Sequence, residues 1–166
     1  MSENILAVFN KENVSEEEGK NYRCRRSVRA VVFDSGNKIA MLYVKRAGKL
    51  PYYTLPGGGV GKEETFDQAI VRECKEEIGC DIEIKRILGS IVEYWKEESL
   101  CIQSFGYVGK VLGSKGVVVP VGDEDEGEKN TTILWVTLAG AIKLMESNKQ
   151  ARTLYMQYVY DRDLLY

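Results

Sequence analysis

The sequence predicts an α+β fold, with a mixed β-sheet held between helices as an α/β/α sandwich. Segments with strand periodicity outnumber helical ones, and most of them follow one another through short turns. One strong amphipathic helix over 65–78 interrupts these strands. Because 166 residues suffice for one domain and are too few for two well-built ones, we expect a single domain over 1–166.

The first third of the chain contains four segments of strand character. Val28, Ala30 and Val32 alternate with their neighbours as the residues of a strand do. The turn sequence over 34–37 separates two of the strands and predicts that they form a β-hairpin. The predicted strands are 5–9, 27–33, 39–44 and 52–55, and a charged, turn-prone stretch covers 10–21.

The helix over 65–78 is predicted from its periodicity and from signals at both of its ends. Thr65 and Gln68 have the spacing of a capping box, and Gly79 suits the left-handed residue that ends many helices. Its apolar stripe consists of Phe66, Ile70, Cys74 and Ile78.

The second half of the chain continues with strands and one further helix. The predicted strands are 82–92 and 100–112, joined by a charged turn around 96–98, followed by 117–121 and 133–136. Thr137 is placed to cap a helix over 138–145. The tyrosine-rich end over 151–166 is compatible with either a helix or a strand.

The composition excludes several classes of function. With 23 Lys and Arg against 25 Asp and Glu, the chain has no global field for nucleic acid or an anionic membrane, and we expect neither as a partner. The absence of histidine excludes His-dependent nucleophile pairs and His-ligated zinc or iron. Acid–base chemistry near neutral pH must then come from carboxylates, Lys, Tyr, Cys or metal-bound water.

The four cysteines predict neither a zinc site nor a disulfide framework. Cys24, Cys74, Cys80 and Cys101 include no C-x-x-C spacing, and reduced thiols are the plainer interpretation. The chain shows no secretion signal and no run near the roughly 18 apolar residues of a membrane span. We therefore expect a cytoplasmic protein.

Three carboxylates crowd one side of the predicted helix. Glu73, Glu76 and Glu77 have the i, i+3, i+4 spacing that brings side chains together. At roughly 6 Å and an effective dielectric constant of about 20, each pair repels by about 3 kcal/mol. A bound divalent cation would reverse the sign of this effect, and oxygen ligands favour Mg²⁺ or Mn²⁺ over zinc. The alternative is a solvated acidic face on which Arg72 pairs with Glu76.

A glycine-rich loop over 57–61 stands directly before the helix. Its backbone N–H and C=O groups are free of side chains and can approach a metal ion or a phosphate closely. It is not a P-loop, because Pro56 and Glu63 occupy positions that require Gly and Ser or Thr. Taken alone, an ordinary turn is the plainer interpretation of this loop.

Loop and helix together resemble the Nudix box, G-x5-E-x7-R-E-U-x-E-E-x-G-U. The match begins at Gly58, continues through Glu64 and ends with the run Arg72-Glu73-Cys74-Lys75-Glu76-Glu77-Ile78-Gly79-Cys80. Every fixed residue is present at its spacing. Cys74 and Cys80 replace the usual bulky aliphatic residues, and Glu63 stands where Gly is common. The likeness extends over about 26–145.

The resemblance implies a fold, an activity and a set of site residues. Nudix proteins are α/β/α sandwiches that mostly hydrolyse a nucleoside diphosphate linked to a further group, with Mg²⁺ or Mn²⁺ as cofactor. The implied catalytic and metal-binding groups are Glu73, Glu76, Glu77 and the carbonyl of Gly57. Glu73 is also a candidate for deprotonating or orienting water, although distant loops supply the base in some members. Glu64 and Arg72 would form an ion pair that holds the loop to the helix.

Further site residues are implied outside the box. A carboxylate from the loop before the late strand often joins the metal site; Glu126 is the first candidate, and Glu124 and Glu128 are alternatives. A solvated acidic turn is the plainer interpretation of this loop taken alone. The candidate substrate-binding residues are Arg29, Arg46 and Tyr53. Arg29 belongs to a positive cluster that could meet phosphate, and Tyr53 could stack on a nucleobase. Taken alone, an exposed edge or sheet face is the plainer interpretation of the cluster, and core packing or surface burial that of Tyr53.

The sequence thus predicts Mg²⁺- or Mn²⁺-dependent hydrolysis of a diphosphate linkage, with water attacking phosphorus. The substrate is a small nucleoside diphosphate derivative, and a nucleotide, a nucleotide sugar and a dinucleotide all remain open. A non-hydrolytic nucleotide sensor with the same fold is the alternative. A prenyl diphosphate isomerase is disfavoured, because the additional histidine ligands expected of it are absent. The tyrosine-rich end leaves a homodimer open.

Overall fold

The central feature of the fold is a mixed β-sheet. The computed structural model describes residues 4–45, 47–48, 50–116, 118 and 130–147. The elements in this part of the chain are β1 (Ile5–Phe9), α1 (Glu16–Gly19), β2 (Arg23–Phe33), β3 (Ile39–Lys45), β4 (Tyr52–Thr54), α2 (Phe66–Ile78), β5 (Ile82–Trp95), β6 (Leu100–Val111), β7 (Asn130–Val136) and α3 (Leu138–Ser147). The strand order is β1-β5-β6-β2-β3-β4, with β7 paired to β3. None of the described helices has the length and hydropathy that crossing a bilayer requires.

Helix α2 has the ends that its sequence predicts. The Thr65 side chain accepts a hydrogen bond from Gln68 N–H, and the Gln68 side chain accepts one from Thr65 N–H. Gly79 has left-handed backbone angles, φ 66° and ψ 18°, and ends the helix. Because both ends are satisfied locally, the helix presents its carboxylates in a fixed register.

The charged stretch over 10–21 is more ordered than its composition suggests. It contains the short helix α1, which Ser15 and Glu18 cap as a reciprocal box. The Ser-x-x-Glu spacing was visible in the sequence, so this helix was predictable from its cap.

The predicted hairpin of β2 and β3 forms only next to its turn. These strands pair only between Phe33 and Ile39. Strand β2 instead pairs in parallel with β6 along its whole length, whereas β3 pairs antiparallel with β4 and β7. The turn at 34–37 reverses the chain, but it does not align the two strands side by side.

The glycine-rich loop occupies the edge of β2 that a hairpin partner would have taken. The N–H groups of Val28 and Ala30 donate to the carbonyls of Gly58 and Pro56 at 2.9 and 3.0 Å. The N–H of Val60 donates to a carbonyl of β2 at 3.2 Å. The loop is therefore fixed to the middle of the sheet by backbone hydrogen bonds.

Two helices cover opposite faces of the sheet and complete the sandwich. Alternation along β2 places Val28, Ala30 and Val32 in the core beneath α2 and Val31 and Phe33 in the core beneath α3. Helix α2 contributes Ile70, Cys74 and Ile78 to the first core, and α3 contributes Leu138, Ala141 and Met145 to the second. The predicted α+β sandwich with a mixed sheet is confirmed.

Some predictions fall outside the described residues. These are the strand over 117–121 apart from Val118, the acidic loop over 122–129, and the chain end over 151–166.

Candidate active site

The candidate site begins at Gly57, where the chain needs a residue without a side chain. Its φ of 136° lies in a region that L-residues rarely adopt. A Cβ there would overlap the carbonyl oxygen of Val28 and lie 2.9 Å from the carbonyl carbon. The absence of a side chain thus lets the loop lie directly against β2.

Gly58 is in contact with the carboxylate of Glu73. A Cβ on Gly58 would lie 2.6 Å from Glu73 Cδ, closer than any real contact. Because Gly58 has no Cβ, the helix carboxylate rests against the loop backbone.

Glu77, one helical turn further along, contacts the same loop. Its Oε2 accepts a hydrogen bond from Gly57 N–H at 2.8 Å, and the side chain is half-buried. The i, i+4 spacing of Glu73 and Glu77 therefore directs both carboxylates at the glycine-rich loop.

Arg72 connects the loop to the helix. Its Nε and Nη2 donate to the two carboxylate oxygens of Glu64 at 2.8 and 3.0 Å, and Nη2 also donates to Gly59 O at 3.1 Å. Its Nη1 donates to Glu73 and Glu76, both at 2.9 Å. The structure thus contains the Glu64–Arg72 ion pair that the Nudix resemblance implies. It also contains the Arg72–Glu76 ion pair that was expected if the helix carboxylates were only a solvated acidic face.

The charges of this network stabilise one another. Hydrogen bonds to Glu64 are the largest cause that raises the pKa of Arg72. Hydrogen bonds from Arg72, and then from Gly61 N–H, hold the pKa of Glu64 below its usual value. Both groups are therefore ionised near neutral pH, and Glu64 is the main anchor of the guanidinium.

The donor atoms fit a hard divalent cation. Glu73 and Glu77 contact a loop whose Gly57 carbonyl engages in no hydrogen bond among the described residues, and Glu76 is joined to Glu73 through Arg72. In the part of the chain that the structure describes, no three Asp, Glu, Cys or His side chains lie close enough together to bind one metal ion as they stand. The reason is that Arg72 binds Glu73 and Glu76 while Glu77 accepts from Gly57. With oxygen donors alone, the set suits Mg²⁺ or Mn²⁺ in chemistry.

The predicted substrate-binding residues lie at different distances from this network. Arg29 is half-buried on β2, and its Cα lies 3.0 Å from where a Cβ on Gly57 would stand. Tyr53 is half-buried on β4, 4.9 Å from the ring of Tyr43, and packs on the α3-side core. The structure does not describe Arg46, Glu124, Glu126 or Glu128.

Sequence reasoning missed two contacts that position α2. The carbonyl of Gly59 is a further acceptor for Arg72. Tyr107 on β6 donates from its hydroxyl to Asp67 in the first turn of α2 at 3.0 Å, and burial raises the pKa of this tyrosine. No local sequence pattern predicts these contacts, because the partners lie in different elements that are well separated along the chain.

Comparison with known proteins identifies the family. The family model for the NUDIX domain matches residues 23–158, which is most of the chain. The chain belongs to the Nudix family. No curated protein sequence matches it.

Solved structures of Nudix proteins share the fold. A Nudix hydrolase from Nitrosomonas europaea has a TM-score of 0.63 at 18% identity, over 86% of this chain and 90% of that chain. The MutT protein from Methanosarcina mazei Go1 has a TM-score of 0.61 at 18% identity, over 86% and 96%. A C. elegans Ap4A hydrolase has a TM-score of 0.53 at 17% identity, over 81% and 96%.

The predicted family is therefore confirmed, and this Nudix protein is a hydrolase of pyrophosphate bonds. Its Nudix box consists of the loop on β2 and the helix that follows. The structure brings together Gly57 and the predicted box residues Gly58, Glu64, Arg72, Glu73, Glu76 and Glu77.

Proposed function

We propose that this Nudix protein hydrolyses a diphosphate linkage in a small nucleoside diphosphate derivative, using Mg²⁺ or Mn²⁺. The observation that carries the proposal is the contact of Glu73 and Glu77 with Gly57 and Gly58. This contact places carboxylates and unobstructed backbone at one point, which a purely structural helix would not require.

The groups that would hold the cation are Glu73, Glu76, Glu77 and the Gly57 carbonyl. Glu126, or in its place Glu124 or Glu128, is proposed as a further ligand. A bound divalent ion would stabilise the charge that develops on the diphosphate oxygens and make hydroxide available near neutral pH.

The protein's own residues orient the site and move the proton. Gly57 N–H fixes one oxygen of Glu77, and Glu64 fixes Arg72, which in turn holds Glu73 against the loop. We assign to Glu73 the removal of a proton from the attacking water. With no histidine in the chain, a carboxylate is the natural group for this step.

The substrate class is a nucleotide, a nucleotide sugar or a dinucleotide. The neighbour described as an Ap4A hydrolase motivates dinucleotides as one candidate. Arg29 and Arg46 are proposed to meet substrate phosphate, and Tyr53 to contact the base.

The test is a substrate panel assayed with Mg²⁺ and with Mn²⁺, comparing the wild type with Glu73→Gln and Glu77→Gln. We expect phosphate or nucleotide release from at least one substrate, and a loss of about a hundredfold or more in turnover in both variants. Glutamine keeps an oxygen that can accept from Gly57 N–H, so circular dichroism and the melting temperature should change little.

The matched control is Glu97→Gln, which changes an exposed carboxylate in the turn between β5 and β6. This variant should retain wild-type turnover. Unchanged turnover in both box variants would refute the proposed site. Nucleotide binding without any product would instead support a sensor.

A further inference from the structure

Cys24 and Cys101 form a pair of thiols across two neighbouring strands. They are register partners in the parallel pairing of β2 with β6, although they are 77 residues apart in sequence. The Cys24 thiol donates to Cys101 Sγ at 3.6 Å. The other two cysteines, Cys74 and Cys80, are fully buried in the core beneath α2. The two thiols of the strand pair are therefore set apart from the other two in both position and exposure.

The strand geometry is suitable for a covalent bond between them. Neighbouring strands lie about 4.8 Å apart, inside the roughly 4.4–6.8 Å separation of Cα atoms that disulfides span. The two sulfur atoms must approach from 3.6 Å to about 2 Å, which is a side-chain movement.

The pair is accessible to a small oxidant. Cys24 is exposed and Cys101 is partly exposed. The neighbouring Arg23, Arg25 and Arg26 are exposed as well. Positive charge near the pair attracts an anionic reagent.

We propose that Cys24 and Cys101 are a reversible modification site that forms an intramolecular disulfide with a small anionic disulfide, of which oxidised glutathione is the example. The Cys24 thiolate attacks one sulfur of the reagent, its S–S bond breaks, and one glutathione thiolate leaves. Cys101 then loses its proton to solvent and attacks Cys24 Sγ, which expels the second glutathione thiolate. Two protein thiols are oxidised while one glutathione disulfide is reduced to two thiols.

The order of the two steps follows from exposure and burial. Cys24 is the more exposed thiol and reacts first. Burial raises the pKa of the Cys101 thiol to about 11, which keeps it protonated and makes it the second thiol to react.

The experiment uses the reduced full-length protein incubated with excess oxidised glutathione in the absence of air. Remaining thiols are blocked with an alkylating reagent after denaturation, and the intact mass is measured. We expect two alkylated cysteines rather than four, no retained glutathione, and a monomer. Trypsin should release Cys24-Arg25 linked to the peptide 97–110, and a reductant should restore all four thiols.

Two variants separate the steps. Cys101→Ser lacks the second thiol and should retain one glutathione on Cys24. Cys24→Ser should react at least about tenfold more slowly, because it keeps only the less exposed thiol of the pair. A wild type that retains glutathione, that forms a disulfide between two molecules, or that loses Cys74 or Cys80 instead would overturn the proposal. Recovery of four free thiols after prolonged exposure would do the same.

Discussion

At the scale of single residues, Arg72 and Glu64 organise the candidate site. One guanidinium binds three carboxylates and a loop carbonyl, so it offsets the repulsion among the helix carboxylates that the sequence predicts. Arg72 is more than a third exposed while Glu64 is less so, at 37% and 18% of their side-chain surfaces. Solvent screening therefore weakens the pair, and its main effect is to position the loop rather than to supply global stability.

The lowered pKa of Glu64 predicts how the stability depends on pH. A carboxyl group with a lower pKa in the folded state stabilises the protein above its unfolded pKa, near 4.5, and loses that contribution as the pH falls through the folded pKa. We expect Glu64→Gln to be less stable than the wild type at pH 6, with a difference that shrinks steadily below about pH 4.5.

Urea unfolding at several pH values measures this difference. Glu63→Gln, which changes the neighbouring exposed carboxylate, serves as the control and should show no such trend. A difference that stays constant from pH 6 down to pH 3 would contradict the prediction.

At the scale of elements, the contact between the loop and α2 depends on glycines with different tasks. Gly57 has a strained φ and touches the β2 backbone, so its replacement would disturb the sheet. The Gly58 carbonyl also accepts from Val28 N–H, but the atoms nearest to a Cβ on Gly58 are those of the Glu73 carboxylate, which can rotate away. A substitution at Gly57 should therefore lower the stability of the fold, whereas a substitution at Gly58 should change the geometry of the site.

Gly58→Ala tests this separation. We expect activity to fall by roughly tenfold to a hundredfold, because the new methyl group displaces the Glu73 carboxylate, while the melting temperature changes little. Turnover and thermal unfolding are measured on the same samples.

Gly59→Ala is the matched comparison, because a Cβ there would lie 3.4 Å from Arg25 Nη2, at an ordinary contact distance. It should lose much less activity than Gly58→Ala. Equal losses in the two variants would show that the contact with Glu73 is not the cause.

At the scale of the whole molecule, the site joins the two layers of the fold. The loop is bonded to β2 in the sheet, and the carboxylates come from α2 above it. A cation bound between them, as proposed, would be held only by the folded state, so its binding free energy would add to the free energy of unfolding.

Divalent ions should therefore stabilise the protein. At a concentration a hundred times the dissociation constant, Mg²⁺ or Mn²⁺ should raise the free energy of unfolding by about 2.7 kcal/mol, and a chelator should reverse the effect. Glu77→Gln should show a much smaller rise, and Glu97→Gln the full one. The absence of a rise in the wild type with either ion would count against the metal site.

The sequence by itself determined the helix with its two caps, the alternation of the strands and the spacing of the Nudix box. These features depend on residues that are close together in sequence, so local sequence patterns predict them. Thr65 and Gln68, which cap the helix, are three residues apart, and Glu73 and Glu77 are four residues apart. Only the tertiary structure decided that the glycine-rich loop, rather than β3, lies along β2, and that Gly58 meets Glu73 and Cys24 meets Cys101. Each of these contacts joins separate segments of the chain. Several segments could occupy the same strand edge or sheet face, and which one does so depends on the packing of the whole chain.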